Sequence, residues 1–226
     1  MDLHSLWAAF ISTSAPAQPG AVLTRWAFPV FWCVVLVFGA LFVTRSLAKP
    51  RGKWIAVVVA VWAFMPGGWS PTYWLGLAFQ MPSLMAVVLC ADALAAHVRR
   101  SRLADAQGDF SHDGPALMLG SSVVHWLGIL LGLVLLLDTF LVFPFSLYRW
   151  GHSTLMLAFF AGIAASLWFW GRAGRAGLVL LALALFVITR LTTGNVFDAL
   201  IDPWLWLALV VGALLNWRAR RRLLRA

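Results

Sequence analysis

The sequence predicts an all-α membrane protein with seven transmembrane helices. Of its 226 residues, 62% are hydrophobic and only 11% are charged, and the mean hydropathy is +0.89. This composition is far more apolar than that of a soluble domain. The apolar residues fall into several segments of about 20 residues, the length that crosses the hydrocarbon core of a bilayer. We therefore expect one helical bundle that is embedded in the lipid bilayer and interacts with its lipids.

Seven apolar segments follow one another, separated by turns that are rich in Gly, Pro or basic residues. We place these spans at residues 25–44, 54–65, 71–95, 115–142, 150–170, 177–189 and 201–217. The third span contains Pro82, which should kink the helix because proline has no amide hydrogen to donate. Residues 1–24 are predicted to form an external segment with a short interfacial helix. Residues 25–217 form the bundle, and residues 218–226 form a basic cytoplasmic tail.

The basic residues predict the orientation of the spans. Fourteen of the 17 Lys and Arg residues lie after the first, third and fifth spans and in the C-terminal tail, which leaves Arg25, Arg149 and Arg190 for the opposite side. Cytoplasmic loops carry an excess of Lys and Arg. We therefore predict a multi-pass inner-membrane protein with its N-terminus outside and its C-terminus in the cytoplasm. The basic pI of about 11.2 follows from this distribution, and no nucleic-acid partner is expected.

The first three and the last three spans share features that suggest an internal repeat. Each triplet opens with an Arg-Trp pair, at Arg25-Trp26 and at Arg149-Trp150. Each has a short second span that ends in a Gly-bearing turn, and a third span that contains or begins with proline. With one span between the copies, the repeat is parallel, and this 3+1+3 arrangement resembles that of SWEET-type sugar transporters. The resemblance concerns the order of the spans, and no residue is carried over from that family.

A stripe of small and polar side chains runs along the third span. Thr72, Gly76, Gln80 and Ser83 follow one another at spacings of four, four and three residues. Such a stripe faces protein or water rather than lipid. It serves either as a solute path that includes Gln80 and Ser83, or as a helix contact that repairs the hydrogen bond lost at Pro82.

The fourth span carries two features on one face. Gly128 and Gly132 form a GxxxG motif, which lets a second helix approach closely and predicts contact with a membrane-protein partner or a second copy of this chain. His125 lies in the inner half of the membrane, where an ionisable group is either functional or hydrogen-bonded to a neighbouring helix. His152 is predicted at the outer surface, so the two histidines cannot ligate one haem iron, and no cofactor is expected.

Acidic and basic residues gather at the predicted outer ends of the later spans. Asp138 lies near the outer end of span four, Arg190 lies at the outer end of span six, and Asp198 and Asp202 lie just beyond Arg190. Because a lone buried charge is costly, we predict an ion pair between Asp138 and Arg190. The group is either a set of ion pairs that joins spans four, six and seven, or a polar vestibule or proton relay. Gln80 and Asp202, each close before a proline, are expected to line one outward-open cavity.

These observations fit a permease-like protein that binds or transports a small polar solute among spans 3, 4, 6 and 7. The candidate solute-binding residues are Gln80, Ser83, His125, Asp138, Arg190, Asp198 and Asp202. The alternative is a non-catalytic subunit or assembly scaffold of a larger membrane complex. The third interpretation is an intramembrane enzyme that acts on a lipid-linked substrate. No nucleophile elbow, P-loop, HExxH or dinucleotide motif occurs, so we expect no catalytic residue and no metal site.

Overall fold

The computed structural model describes residues 20–44, 49–107, 123–142 and 144–223. These residues form α-helices and two 3₁₀ turns, with no strand among them, which confirms the all-α class. The helices are α1 (Ala21–Val43), α2 (Lys49–Ala63), α3 (Pro71–Phe79), α4 (Leu84–Gln107), α5 (Val123–Thr139), α6 (Thr154–Phe169), α7 (Ala173–Thr189), α8 (Val196–Leu200) and α9 (Pro203–Leu223). The 3₁₀ turns are Gly67–Trp69 and Tyr148–His152.

One helix within the described ranges, α1, is both long enough and apolar enough to cross a membrane, with 23 residues and a hydropathy of 2.3. Three shorter apolar helices are found at His125–Thr139, Thr154–Phe169 and Ala173–Thr189. By length and composition, then, the structure supports one membrane-crossing helix. The count of seven spans remains a prediction.

Several helix bounds differ from the predicted spans. The third span is not one kinked helix but two helices, α3 and α4, because the chain leaves helical geometry between Gln80 and Ser83. The helix at the predicted fifth span begins at Thr154, after the second 3₁₀ turn. The last helix continues to Leu223, so the predicted basic tail starts as helix rather than as a separate segment. The predicted interfacial helix in residues 1–24 lies almost wholly outside the described residues.

The chain divides into two compact units. The first unit contains Gly20–Pro82 and the part of α4 from Ala86 onward. The second unit contains Ser83–Met85 and the chain from α5 onward. The chain therefore changes unit in the break between α3 and α4, after Pro82, and again in the first turn of α4, after Met85.

In the first unit, α1 packs against α2 and, through Phe38, against Cys90 and Ala93 of α4. The Trp32 side chain is 2% exposed, and its indole Nε1–H donates a 2.9 Å hydrogen bond to the carbonyl of Gln80. This bond satisfies a carbonyl that the end of α3 leaves without a helical donor. Cys33 and Cys90 form no disulfide bond.

In the second unit, α6 packs against α7, and α5 packs against α9. A Cβ atom on Gly132 would lie 2.1 Å from the indole of Trp206, and one on Gly128 would lie 2.8 Å from Leu209. The Trp206 indole also donates a 3.0 Å hydrogen bond to the carbonyl of Ile129. The GxxxG face is therefore in contact with α9 of the same chain. A contact of this face with a partner or a second copy stays a prediction.

Candidate functional site

Polar side chains of the second unit converge on two loops, one between α5 and α6 and the other between α7 and α8. We call this group the loop cluster; it comprises Asp138, Tyr148, Thr193, Asn195 and Asp198. A second polar contact, the Asp202 junction, comprises Ser83, Asp202 and Leu205.

Asp138 is buried near the end of α5, with 7% of its surface exposed. Its carboxylate accepts hydrogen bonds from the amides of Leu147 at 3.1 Å and Tyr148 at 2.8 Å, and from the Ser146 hydroxyl at 3.3 Å. Charge-assisted bonds of this kind offset the loss of hydration. Asp138 therefore fixes the loop that follows its own helix.

The predicted ion pair between Asp138 and Arg190 is wrong. Arg190 ends α7 in a left-handed conformation with a φ of 55°, and its guanidinium lies 5.4 Å from the centre of the Phe186 ring. The amides of the following turn reach Asp138 first, because they are close to it in the chain. The carboxylate thus obtains its donors locally and needs no cation from another helix.

Asn195 connects the two loops. Its side chain is fully buried; Nδ2 donates to the Tyr148 carbonyl at 2.8 Å, and Oδ1 accepts from the amide of Phe197 at 2.9 Å. The second bond caps the N-terminus of α8. The Asn195 side chain lies so close to position 151 that only glycine fits there, because a Cβ atom would lie 1.9 Å from the Asn195 Oδ1.

Asp198 accepts hydrogen bonds from two hydroxyl groups. The Tyr148 hydroxyl donates to Oδ2 at 2.5 Å, and the Thr193 hydroxyl donates to the same oxygen. Burial, reinforced by the hydrogen bond and the negative charge of Asp198, raises the pKa of Tyr148 to about 12. Tyr148 therefore remains a hydrogen-bond donor at neutral pH. Its side chain is 38% exposed, so this edge of the loop cluster meets solvent.

His152 leaves one hydrogen-bonding position of this region unfilled. Asn195 Nδ2 lies 3.4 Å from His152 Nε2. Because that amide nitrogen is a donor, Nε2 is the acceptor, and the proton of the neutral ring is on Nδ1. Nδ1 is buried and has no hydrogen-bond partner among the described residues. The ring thus presents a donor that a small molecule or water could satisfy.

At the Asp202 junction, one carboxylate holds the starts of two helices. Asp202 Oδ1 accepts from the amide of Leu205 at 2.7 Å, in the first turn of α9. Oδ2 accepts at 2.5 Å from the amide of Ser83, which directly precedes α4 and is fully buried. Ser83 and Asp202 are 119 residues apart in the chain. The structure therefore brings together two of the predicted site residues.

The remaining predicted residues lie elsewhere. His125 is 4% exposed, and its Nε2 lies 2.8 Å from the carbonyl of Leu209 on α9, which is the hydrogen-bonded alternative that the sequence left open. Gln80 belongs to the first unit, where it ends α3 with a φ of 59° and an exposed side chain. A cavity shared by Gln80 and Asp202 stays a prediction.

No family model, no curated protein and no solved structure matches this chain. The assignment of function therefore depends on the two sites themselves. Sequence reasoning missed Tyr148, Thr193 and Asn195 as members of the loop cluster. An Asn directly before an apolar helix start is a recognisable N-cap signal, and it identifies Asn195. Tyr148 carries no comparable signal, because a tyrosine next to a span also fits the interfacial aromatic belt.

Proposed function

We propose that this protein is a seven-span inner-membrane permease for a small polar solute, with its N-terminus outside. The observation that carries the proposal is the Asp202 junction, where one carboxylate joins the starts of two helices that each follow a break in the chain. Many secondary transporters bind solute where interrupted helices converge, because such breaks free backbone groups in a protein-lined space. The two breaks also occupy matching places in the two predicted triplets of spans.

The loop cluster indicates the chemistry of the solute. The Asp198 carboxylate is partly exposed and already accepts from hydroxyl groups, and His152 offers an unfilled N–H donor. A hydroxylated solute would satisfy both groups, because a hydroxyl group donates one hydrogen bond and also accepts. In this proposal Asp198 contacts the solute, whereas the buried Asp138 and Asn195 position the loops.

Cysteine accessibility tests the proposal. In a background with Cys33→Ala and Cys90→Ala, the variants Asp198→Cys and Asp202→Cys are exposed to a membrane-impermeant thiol reagent added from outside. The control is Trp69→Cys, because Trp69 is 78% exposed whereas the adjacent Ser70 is 2% exposed. Labelling at both test positions is the expected result. If neither reacts while the control does, no outward-open cavity exists at these residues and the permease proposal fails.

A specific observation favours a second candidate, a non-catalytic subunit or scaffold. The first unit has a shallow apolar depression lined by Ala60, Val61, Phe64, Met65 and Pro66. Trp69 in the 3₁₀ turn that follows is 78% exposed, and Trp74 in α3 is 61% exposed. These aromatic side chains could dock a partner helix. Stoichiometric co-purification of one membrane protein, lost in Trp69→Ala with Trp74→Ala and unaccompanied by solute uptake, would support this candidate.

A further inference from the structure

The turn between α6 and α7 carries two arginines and no acidic residue. Arg172 directly precedes α7, and Arg175 lies in the first turn of that helix. That first turn contains no acidic side chain, and the sequence has none between Asp138 and Asp198. Both of those carboxylates accept hydrogen bonds in the loop cluster. Positive side chains are unfavourable at the start of a helix, where the helix dipole favours an anion.

Several hydrogen-bond donors at this turn lack an acceptor. No side chain caps the N-terminus of α7, and the amides of Ala173 and Gly174 have no carbonyl acceptor within the helix that they begin. The Nη1 atom of Arg172 is buried and has no hydrogen-bond partner among the described residues. A buried charged donor without a partner is costly. An anion with several oxygen atoms would supply the missing acceptors and oppose the charge of the arginines.

The surface beside the turn is open and aromatic. Ala173 and Gly174 are exposed, and a Cβ atom on Gly174 would meet nothing within 4 Å. Phe169 and Trp170, at the end of α6, are 85% and 70% exposed. A small free anion leaves such apolar surface in water, whereas the acyl chains of a lipid cover it, which is favourable. The basic and the aromatic side chains together therefore match a phospholipid.

We propose that the turn between α6 and α7 binds an anionic phospholipid, with Arg172 and Arg175 holding its phosphate group. Phe169 and Trp170 contact its acyl chains. The guanidinium group of arginine donates parallel hydrogen bonds to two phosphate oxygens. An anionic lipid is favoured over a zwitterionic one, because the turn has no acidic residue to pair with an ammonium group. The position of this turn at the cytoplasmic face rests on the proposed seven-span arrangement; the binding does not depend on solute transport.

Native mass spectrometry of the full-length protein in detergent micelles tests the binding. Phosphatidylglycerol is the anionic probe, phosphatidylcholine is the zwitterionic probe, and glycerol phosphate supplies a phosphate group without acyl chains. We expect phosphatidylglycerol to bind roughly tenfold more tightly than either of the other probes, because each arginine near a membrane surface attracts an anionic lipid. Equal binding of phosphatidylcholine would overturn the proposal. Equal binding of glycerol phosphate would indicate a site for a free anion and would also overturn it.

Three variants test whether the arginines of this turn are responsible. Arg172→Gln should weaken the binding of phosphatidylglycerol roughly tenfold, since a charge-assisted hydrogen bond is lost, and Arg175→Gln should weaken it roughly fivefold. Arg51→Gln is the matched control and should leave the binding unchanged. Arg51 is also an arginine in the first turn of a helix, and its side chain is exposed. An equal loss in Arg51→Gln would reveal a general effect of charge and contradict the assigned site.

Thermal unfolding in the same micelles gives a second readout. Phosphatidylglycerol should raise the melting temperature of the wild-type protein and of Arg51→Gln but not that of Arg172→Gln, because a ligand stabilises only a fold that binds it. A rise of the same size in Arg172→Gln would overturn the proposal. If Arg172→Gln fails to fold, Arg175→Gln and the comparison of the three probes still decide. Failure here leaves the permease proposal intact, since that proposal is tested by thiol labelling at positions 198 and 202.

Discussion

Asn195 and Gly151 show how a single residue decides the geometry of the loop cluster. The Asn195 amide is fully buried and binds both loops, and only a glycine leaves room for its Oδ1 at position 151. We expect Gly151→Ala to destabilise the protein by about 1–3 kcal/mol, because the added methyl group would force the buried amide away from its partners. Thermal unfolding in detergent measures this loss.

The matched control for that change is Gly162→Ala in α6, where a Cβ atom would meet nothing within 4 Å. Alanine is favoured over glycine inside a helix by up to about 1 kcal/mol, so this variant should be neutral or slightly stabilised. Equal losses at Gly151 and Gly162 would show that packing against Asn195 is not the cause.

Tyr148 gives the loop cluster a dependence on alkaline pH. Its pKa is raised from 10.0 to about 12 in the folded protein. Below about pH 10 the phenol is neutral in both states, so its stabilising contribution is complete. Between about pH 10 and about pH 12 the unfolded chain ionises first, and this contribution is lost as the pH rises. The melting temperature should therefore fall less steeply over this range in Tyr148→Phe than in the wild-type protein.

Tyr73→Phe is the control for this measurement, because the chain contains only two tyrosines. The hydroxyl group of Tyr148 contacts Asp198, whereas Tyr73 lies in α3 of the first unit with 45% of its surface exposed. An alkaline loss that is the same in both variants would contradict a specific role for Tyr148.

At the scale of elements, the packing of α5 on α9 depends on glycine. The Trp206 indole cannot retreat freely from Gly132, because its Nε1–H is bound to the carbonyl of Ile129 at 3.0 Å. We expect Gly132→Ala to cost about 1–3 kcal/mol through overpacking, measured as a lower melting temperature. Gly39→Ala in α1 is the comparison, since a Cβ atom there meets nothing within 4 Å. An unchanged melting temperature in Gly132→Ala would show that α5 and α9 do not pack as described.

Local signals in the sequence predicted where helices begin and end better than they predicted which side chains form hydrogen bonds with each other. Pro82 marked the interruption between α3 and α4, because a proline cannot continue the hydrogen-bonding pattern of a helix. Asp202 was recognised as a polar residue beside a proline, but its bond to Ser83 joins positions 119 residues apart. The pairing of Asp138 with Arg190 was incorrect for a different reason, because the donors to Asp138 belong to the turn that follows its own helix. Which donor reaches a carboxylate depends on loop geometry, which neither composition nor periodicity specifies.

At the scale of the whole molecule, composition predicted the all-α class, and one membrane-crossing helix is supported by its length and hydropathy. The division into two units was not predicted, because it depends on which helices pack together rather than on how apolar each one is. The candidate site was predicted in part. Ser83, Asp138, Asp198 and Asp202 were identified, whereas Tyr148, Thr193 and Asn195 were not.

The orientation of the chain is tested by reporter fusions. Fourteen of the 17 basic residues follow the odd-numbered predicted spans, and moving such charges outward opposes insertion. Fusions after Arg102 and Arg225 should therefore report a cytoplasmic position, and a fusion after Trp69 should report an external one. Trp69 is the decisive position, because it lies in the turn between α2 and α3 with 78% of its surface exposed. A cytoplasmic signal there would eliminate the seven-span arrangement and, with it, access to the Asp202 junction from outside.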